Sequence, residues 1–171
     1  MNKNSKSRIK MKKMEKLIYR DWIIAFIYAL VIVFFISIFI WPMKVKGRSM
    51  ENTLQDNDYI LVSKAITLIT KYKYNDLIIL NYNDDSITNK IVKRIIGLEG
   101  DHIRITDNKV IRNGKILEEN YIKGTTTGDI DIFVPEGSVF FLGDNRSISK
   151  DSRILGCYDK SKIKGKVIRK L

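Results

Sequence analysis

Ser49, in the stretch Gly47-Arg48-Ser49-Met50, is the side chain around which a chemistry can be built. A serine hydroxyl is a poor nucleophile at neutral pH and needs a base to take its proton. Histidine usually serves, but the one histidine of this 171-residue chain, His102, follows Gly100 and Asp101 in an expected turn. Lys93 is the alternative base. Residues Asn89 to Leu98 alternate as a strand does, so Ile91, Lys93 and Ile95 share one face and Val92, Arg94 and Ile96 the other. Burial between isoleucines can lower a lysine pKa by up to about 3–5 units, and a neutral lysine is a competent general base. The strand pattern by itself is met more simply by an edge lysine whose stem lies on apolar surface while its ammonium reaches water.

A third polar cluster follows the apolar run Val139 to Leu142: Gly143-Asp144-Asn145-Arg146-Ser147-Ile148-Ser149-Lys150-Asp151-Ser152-Arg153. Dense polar residues directly after a core strand suit a functional loop carried on a rigid element. There Asp151 and Arg153 can pair and brace a wall of the site, and Ser149 can donate a hydrogen bond to Lys93. Alone, the cluster is equally well a solvated turn.

The elements that must position these residues begin with an uncharged run of twenty, Trp22 to Trp41. At about 1.5 Å per residue it spans roughly 30 Å, the thickness of a bilayer's hydrocarbon core. A tryptophan at each end suits the interfacial belt, and Pro42 is expected to stop the helix. A cleaved secretory signal has a shorter apolar region followed by small residues, and Trp41-Pro42-Met43-Lys44-Val45-Lys46-Gly47 offers no such site. An uncleaved anchor is expected, with residues 1–21 a basic tail, 22–41 the transmembrane helix and 44–171 one catalytic domain. The net charge of +12 fits this division. Lys3, Lys6, Arg8, Lys10, Lys12, Lys13, Lys16 and Arg20 crowd into the tail against Glu15 and Asp21, which places the tail in the cytoplasm and the domain outside. Neither this cluster nor Lys160 to Lys170 is interleaved with aromatics for base stacking, so membrane lipid is the expected partner and nucleic acid is not. One cysteine, Cys157, allows no intrachain disulfide, and with a single histidine no metal site is expected.

Beyond the anchor helical periodicity fades. Tyr59 to Val62, Leu77 to Leu80, Ile91 to Ile96 and Val139 to Leu142 read as strands, separated by turn clusters at Gln55 to Asp58 and Asn81 to Asp85. Asn113-Gly114, between Val110-Ile111 and Ile116-Leu117, marks a hairpin, and Ser63 to Lys71 allows a short helix. Short strands at this spacing indicate a mainly β domain, a sandwich or a barrel-like fold.

Together these features closely resemble bacterial type I signal peptidases, membrane-bound serine/lysine proteases, over roughly Ile23 to Arg169. The motifs matched are Gly47-Arg48-Ser49-Met50-Glu51-Asn52-Thr53-Leu54, Lys93-Arg94-Ile95-Ile96-Gly97-Leu98-Glu99-Gly100-Asp101, and Gly143-Asp144-Asn145-Arg146 with Ser149-Lys150-Asp151-Ser152-Arg153, ending at Gly156. The resemblance implies an antiparallel β domain in which Ser49 attacks the scissile carbonyl and Lys93 is the base. It further implies that the Ser49 N–H helps form the oxyanion hole, that Ser149 orients Lys93, and that Asp151 and Arg153 support the site. Some relatives carry a serine hydroxyl donor where this chain has Gly47; glycine resembles the Gram-positive form. Two departures concern backbone stiffness: Asn52 stands where the family usually has proline, and Asn75, before Asp76, where it often has glycine.

The implied activity is removal of signal peptides from exported preproteins at the outer face of the cytoplasmic membrane, by a monomer needing no cofactor. The implied substrates carry small residues, typically alanine, at the first and third positions before the cut. Competing readings are a peptidase of narrow range, a self-cleaving repressor (which would carry a DNA-binding domain in place of an anchor), and a catalytically silent membrane-anchored binding module.

Overall fold

The computed structural model describes residues 3–84 and 87–171 and divides the chain into two compact units, Met1–Phe39 and Ile40–Leu171. The first is a single helix, α1 (Lys3–Phe39). Its stretch Met14–Ser37 is long and apolar enough to cross a membrane, and none of it is buried against protein. Helix α1 ends two residues short of the expected Trp41. Ile40, Trp41 and Pro42 instead open strand β1 (Ile40–Lys44), which pairs antiparallel with β2 (Tyr59–Ser63) and places Pro42 opposite Leu61. Because β1 is the edge strand, the N–H that proline lacks need not be missed by a neighbour. The apolar run thus serves two elements, and no change of composition marks the junction.

The second unit contains the remaining strands: β3 (Leu77–Asp84), β4 (Ile87–Leu98), β5 (His102–Thr106), β6 (Lys109–Arg112), β7 (Lys115–Ile116), β8 (Ile130–Phe133), β9 (Ser138–Leu142), β10 (Tyr158–Asp159) and β11 (Gly165–Lys170). They form a seven-stranded sheet in the order β1-β2-β11-β3-β4-β9-β10 and a four-stranded sheet in the order β7-β6-β5-β8. Every ladder is antiparallel. The fold is mainly β, as expected, and consists of two open sheets that share a core. Ile96, Phe140 and Leu142 of the larger sheet pack with Ile103, Ile105 and Val110 of the smaller one and with Val134. Gly97 lies against this shared core, where a Cβ would stand 2.8 Å from the Ile103 side chain. A bulge between Ile95 and Gly97 turns β4 there.

All four expected strands are present, and β3 and β4 extend beyond their apolar centres. Asn81 to Asp84, expected as a turn, continue β3 by pairing with Ile87 to Lys90, since the backbone bonds of a ladder do not depend on side-chain polarity. Asp85 lies outside the described residues. His102 begins β5 opposite Phe133 instead of lying in the turn, which Gly100 and Asp101 complete. Asn113 and Gly114, both at positive φ, form the two-residue turn between β6 and β7. Short helix α2 (Ala65–Ile69) falls within the stretch where one was allowed.

Candidate active site

Lys93 lies on β4, which is flanked by β3 and β9 in the interior of the large sheet. Its relative exposure is 2%, so the edge-lysine reading does not hold. The parity read from sequence does hold. Ile91 and Ile95 pack with Ile78, Leu80 and Phe141 on one face, while Val92 joins the core on the other. Among the described residues the Lys93 side chain makes no hydrogen bond and no ion pair. Burial pulls its pKa down to about 8, against the opposing pull of the Asp151 and Asp144 carboxylates, with Arg153 adding to the effect of burial.

Ser49 sits half-buried in a tight turn between β1 and β2. Two buried apolar side chains, Met50 and Leu54, pin this turn into the core beside Val45, Ile60 and Val62. Backbone bonds from Glu51 to the Arg48 carbonyl (3.1 Å) and from Leu54 to the Met50 carbonyl (2.8 Å) close it. The Ser49 carbonyl accepts from the Asn145 N–H at 2.9 Å, whereas its own N–H has no acceptor among the described residues. Gly47 adopts φ +88° and its N–H donates to Asp56 at 2.8 Å.

Gly143 is where these parts meet. Leu142 of β9 is in register with Arg94, so Gly143 emerges beside Lys93. A Cβ on Gly143 would stand 2.1 Å from Ser149 Oγ and 2.7 Å from the Ser49 carbonyl oxygen. Only glycine lets the serine turn and the Ser149 side chain close on the strand end. The Gly143 N–H also donates to Asp151 Oδ2 at 3.0 Å.

Asp151 and Arg153 pair as expected, the Arg153 Nε donating to Asp151 Oδ1 at 2.9 Å and Nη2 to Oδ2 at 3.0 Å. The same guanidinium donates to the Arg146 carbonyl (2.7 Å) and the Thr127 carbonyl (3.2 Å). Arg153 therefore ties the loop after β9 both to itself and to the 120s. Ser149 is buried beside Gly143, yet its Oγ has no hydrogen-bond partner, so the expected bond to Lys93 is not formed.

Several buried residues of the site were not singled out from sequence. Arg94 grips Asp144 with two bonds, Nε to Oδ1 at 2.8 Å and Nη2 to Oδ2 at 2.6 Å. The Thr53 hydroxyl donates to Asp144 and accepts from Arg94 at 3.0 Å. The Arg94 guanidinium lies over the Tyr121 ring, 3.9 Å from its centre. Arg146, 1% exposed, donates to the Gly143 carbonyl and pairs with Glu119. Arg94 had a signal: a charged residue between Val92 and Ile96 on a core-facing strand must find a partner. The identity of that partner, fifty residues away, has no local signature.

Asn52 and Asn75 both occupy positive φ, +93° and +67°. Asn75 thus lies in the left-handed region that glycine enters freely, at a modest cost for asparagine. Asn52 is a different case, since proline is held near −65° and cannot adopt the angle found here.

A family model described as "Signal peptidase, peptidase S26" matches residues 19–170. The chain is 35% identical to a signal peptidase I of Bacillus licheniformis over 158 residues, covering 85% of this chain and 84% of the relative. It is 32% identical to signal peptidase IB of Staphylococcus aureus, with 86% of each chain covered. The crystal structure of a signal peptidase I from Enterococcus faecalis superposes with a TM-score of 0.51 at 29% identity, covering 58% of this chain and 98% of that one. With its β fold, its buried lysine and its serine turn closed on Gly143, the chain belongs to the signal peptidase family, peptidase S26.

Proposed function

We propose that this protein is a membrane-anchored serine endopeptidase that removes signal peptides from exported preproteins, with Ser49 as nucleophile and Lys93 as general base. The carrying observation is Lys93 itself: a buried lysine without an ion-pair partner among the described residues, its pKa drawn down to about 8, on the strand paired with β9, at whose end Gly143 meets the Ser49 turn. Neutral Lys93 takes the proton of Ser49 Oγ as it attacks the scissile carbonyl. The unpaired Ser49 N–H is available to the tetrahedral oxyanion. Gly47 adds no second donor, having no side chain and an N–H already given to Asp56. Collapse of the intermediate passes the proton from Lys93 to the leaving amine and leaves an acyl ester on Ser49. Water, deprotonated by Lys93, then attacks the ester and releases the signal peptide with a free carboxylate, Lys93 returning the proton to Ser49 Oγ. Asp151 and Arg153 hold the loop that closes this site.

Helix α1 supplies the anchor in this reading. Its exposed apolar side chains, such as Trp22, Phe26 and Phe34, suit lipid rather than water. The basic tail keeps the amino terminus in the cytoplasm and the catalytic unit outside. Confinement to the membrane plane raises the effective concentration of membrane-embedded preproteins. The test is cleavage of a preprotein with alanine at the first and third positions before the cut, by full-length protein in detergent. Wild type cuts, with kcat/KM rising with pH through about 8 as Lys93 deprotonates; Ser49→Ala and Lys93→Ala do not. Undiminished activity at pH 5, or a cutting Lys93→Ala variant, would overturn the assignment.

A further inference from the structure

The segment from Glu119 to Thr127 lies against both loops of the site. Its Lys123 N–H donates to the Asp144 carbonyl and its Lys123 carbonyl accepts from the Arg146 N–H, each at 2.8 Å. Lys123 and Asn145 form an isolated parallel bridge. Glu119 and Thr126 bond the buried Arg146, the Thr127 carbonyl accepts from Arg153, and Tyr121 lies under Arg94. These contacts fix the segment to the loop after β9. Among the described residues its hydrogen bonds and ion pairs to the serine turn are made through Glu51 and Asn52. Lys123 Nζ pairs with Glu51 at 2.9 Å, and Asn52 Nδ2 donates to the Ile122 carbonyl at 2.9 Å.

Asn52 therefore does two things at once. Its backbone takes φ +93°, in the region that asparagine tolerates better than other residues with a Cβ. Its side-chain amide fastens that kinked point to the segment just described. The next two N–H groups along the chain, of Thr53 and Leu54, both bond the Met50 carbonyl at 3.0 and 2.8 Å, so the conformation at Asn52 sets how the Met50–Glu51 peptide, directly after Ser49, is held.

We propose that Asn52 is a positioning residue for the reaction: its left-handed backbone and its amide bond to Ile122 hold the Ser49 turn, and with it the Ser49 N–H, in register with the loop after β9. The proposal rests on the peptidase reading above. It concerns the transition state more than substrate capture, because the group positioned is the nucleophile and its N–H, so kcat should fall while KM stays.

The test compares full-length wild type with Asn52→Gly and Asn52→Asp in detergent. Glycine keeps the backbone angle and removes the amide; aspartate keeps the size and removes the donor. Both are expected to lose about three- to tenfold in kcat on a preprotein, the range for one partly solvated hydrogen bond, with KM within twofold and the apparent pKa of the pH profile unmoved. Hydrogen exchange at the Thr53 and Leu54 amides is read in parallel and is expected to quicken in both variants. Wild-type kcat in Asn52→Gly, or unchanged exchange over residues 50–54 in both variants, would overturn the proposal. A wild type that cuts no preprotein would instead sink the peptidase reading, and the exchange comparison would still decide whether Asn52 holds the turn.

Discussion

Lys93 should make the protein less stable at the pH at which it works. Its pKa falls from an ordinary 10.5 to about 8 on folding, chiefly through burial. At about 1.4 kcal/mol per unit, this shift corresponds to roughly 3 kcal/mol of lost stability wherever the lysine is protonated in both states. The sign follows from proton counting. Between pH 8 and 10.5 the unfolded chain binds the lysine proton and the folded one does not, so stability rises with pH across that window. Below pH 8 the penalty is fully present; above 10.5 it is gone. Lys93→Met keeps the length of the stem and removes the charge. Asp151 is not orphaned by the change, since it retains Arg153 and the Gly143 N–H. The variant should thus be inactive yet more stable than wild type near pH 7, by about 1–3 kcal/mol or roughly 5–10 °C in Tm. That advantage should shrink steadily from pH 8 to 10.5. The assay is thermal unfolding of full-length wild type and variant in the same detergent, followed by near-ultraviolet circular dichroism from pH 6 to 10.5. The difference between the two cancels the titration of all other lysines and tyrosines. A difference that stays flat with pH, or a variant less stable than wild type at pH 7, would refute the claim that burial unseats the Lys93 proton.

Three further outcomes are expected from the same geometry. Gly143→Ala would drive a methyl into Ser149 and the Ser49 carbonyl at 2.1 and 2.7 Å; since one of these atoms is backbone, the serine turn must shift, and preprotein cleavage should fall by at least about 100-fold with a stability loss of about 1–3 kcal/mol, measured by urea unfolding. Asp144→Ala leaves the Arg94 guanidinium without its carboxylate in a site where the two side chains are 10% and 1% exposed; the same unfolding experiment should register a loss of about 3–5 kcal/mol. Asn52→Pro, although it restores the residue usual in relatives, cannot keep φ +93°; it should lower both Tm and activity, and an equal or more active proline variant would show that the turn holds Ser49 by some other backbone path.

The strand that carries Lys93 and the face on which the lysine lies were legible because each is a local property. Period-two alternation from Asn89 to Leu98 assigns faces regardless of what packs against them, and Ile91 and Ile95 are found on the Lys93 face. The strand's position within the sheet is not local. Pairing of β4 with β3 is a hairpin, but its pairing with β9 joins residues more than forty apart, and that second ladder is what turns a plausible edge lysine into a buried one. The strands that went unread fail for the same reason. Within β5 and β8, Arg104 and Asp131 face each other on the solvated side, so neither segment reads as a continuous apolar run, while β1 hides in an apolar run that the helix has already claimed.

The unpaired lysine and the densely paired loops around it are two sides of one arrangement. Arg94 with Asp144, Arg146 with Glu119 and Arg153 with Asp151 each satisfy a buried guanidinium, and arginine stays charged wherever it is placed. Lysine does not: taken from water without a partner it can release its proton. A carboxylate bonded directly to Lys93 would stabilise the ammonium and leave no neutral amine near pH 8. Asp151 and Asp144 are the acidic groups that act on Lys93 most strongly, and each is already engaged by an arginine. The arginines therefore do more than brace the loops: they occupy the carboxylates that would otherwise keep Lys93 protonated. Removing the Arg153 guanidinium should accordingly raise the Lys93 pKa, because one cation opposing the ammonium is lost and the Asp151 carboxylate is released toward it. In Arg153→Met the rising limb of the kcat/KM profile should move to higher pH, with any residual rate at pH 10 closer to wild type than the rate at pH 7; a profile that falls in height alone, with its midpoint unmoved, would mean that Arg153 serves the fold and not the protonation of Lys93.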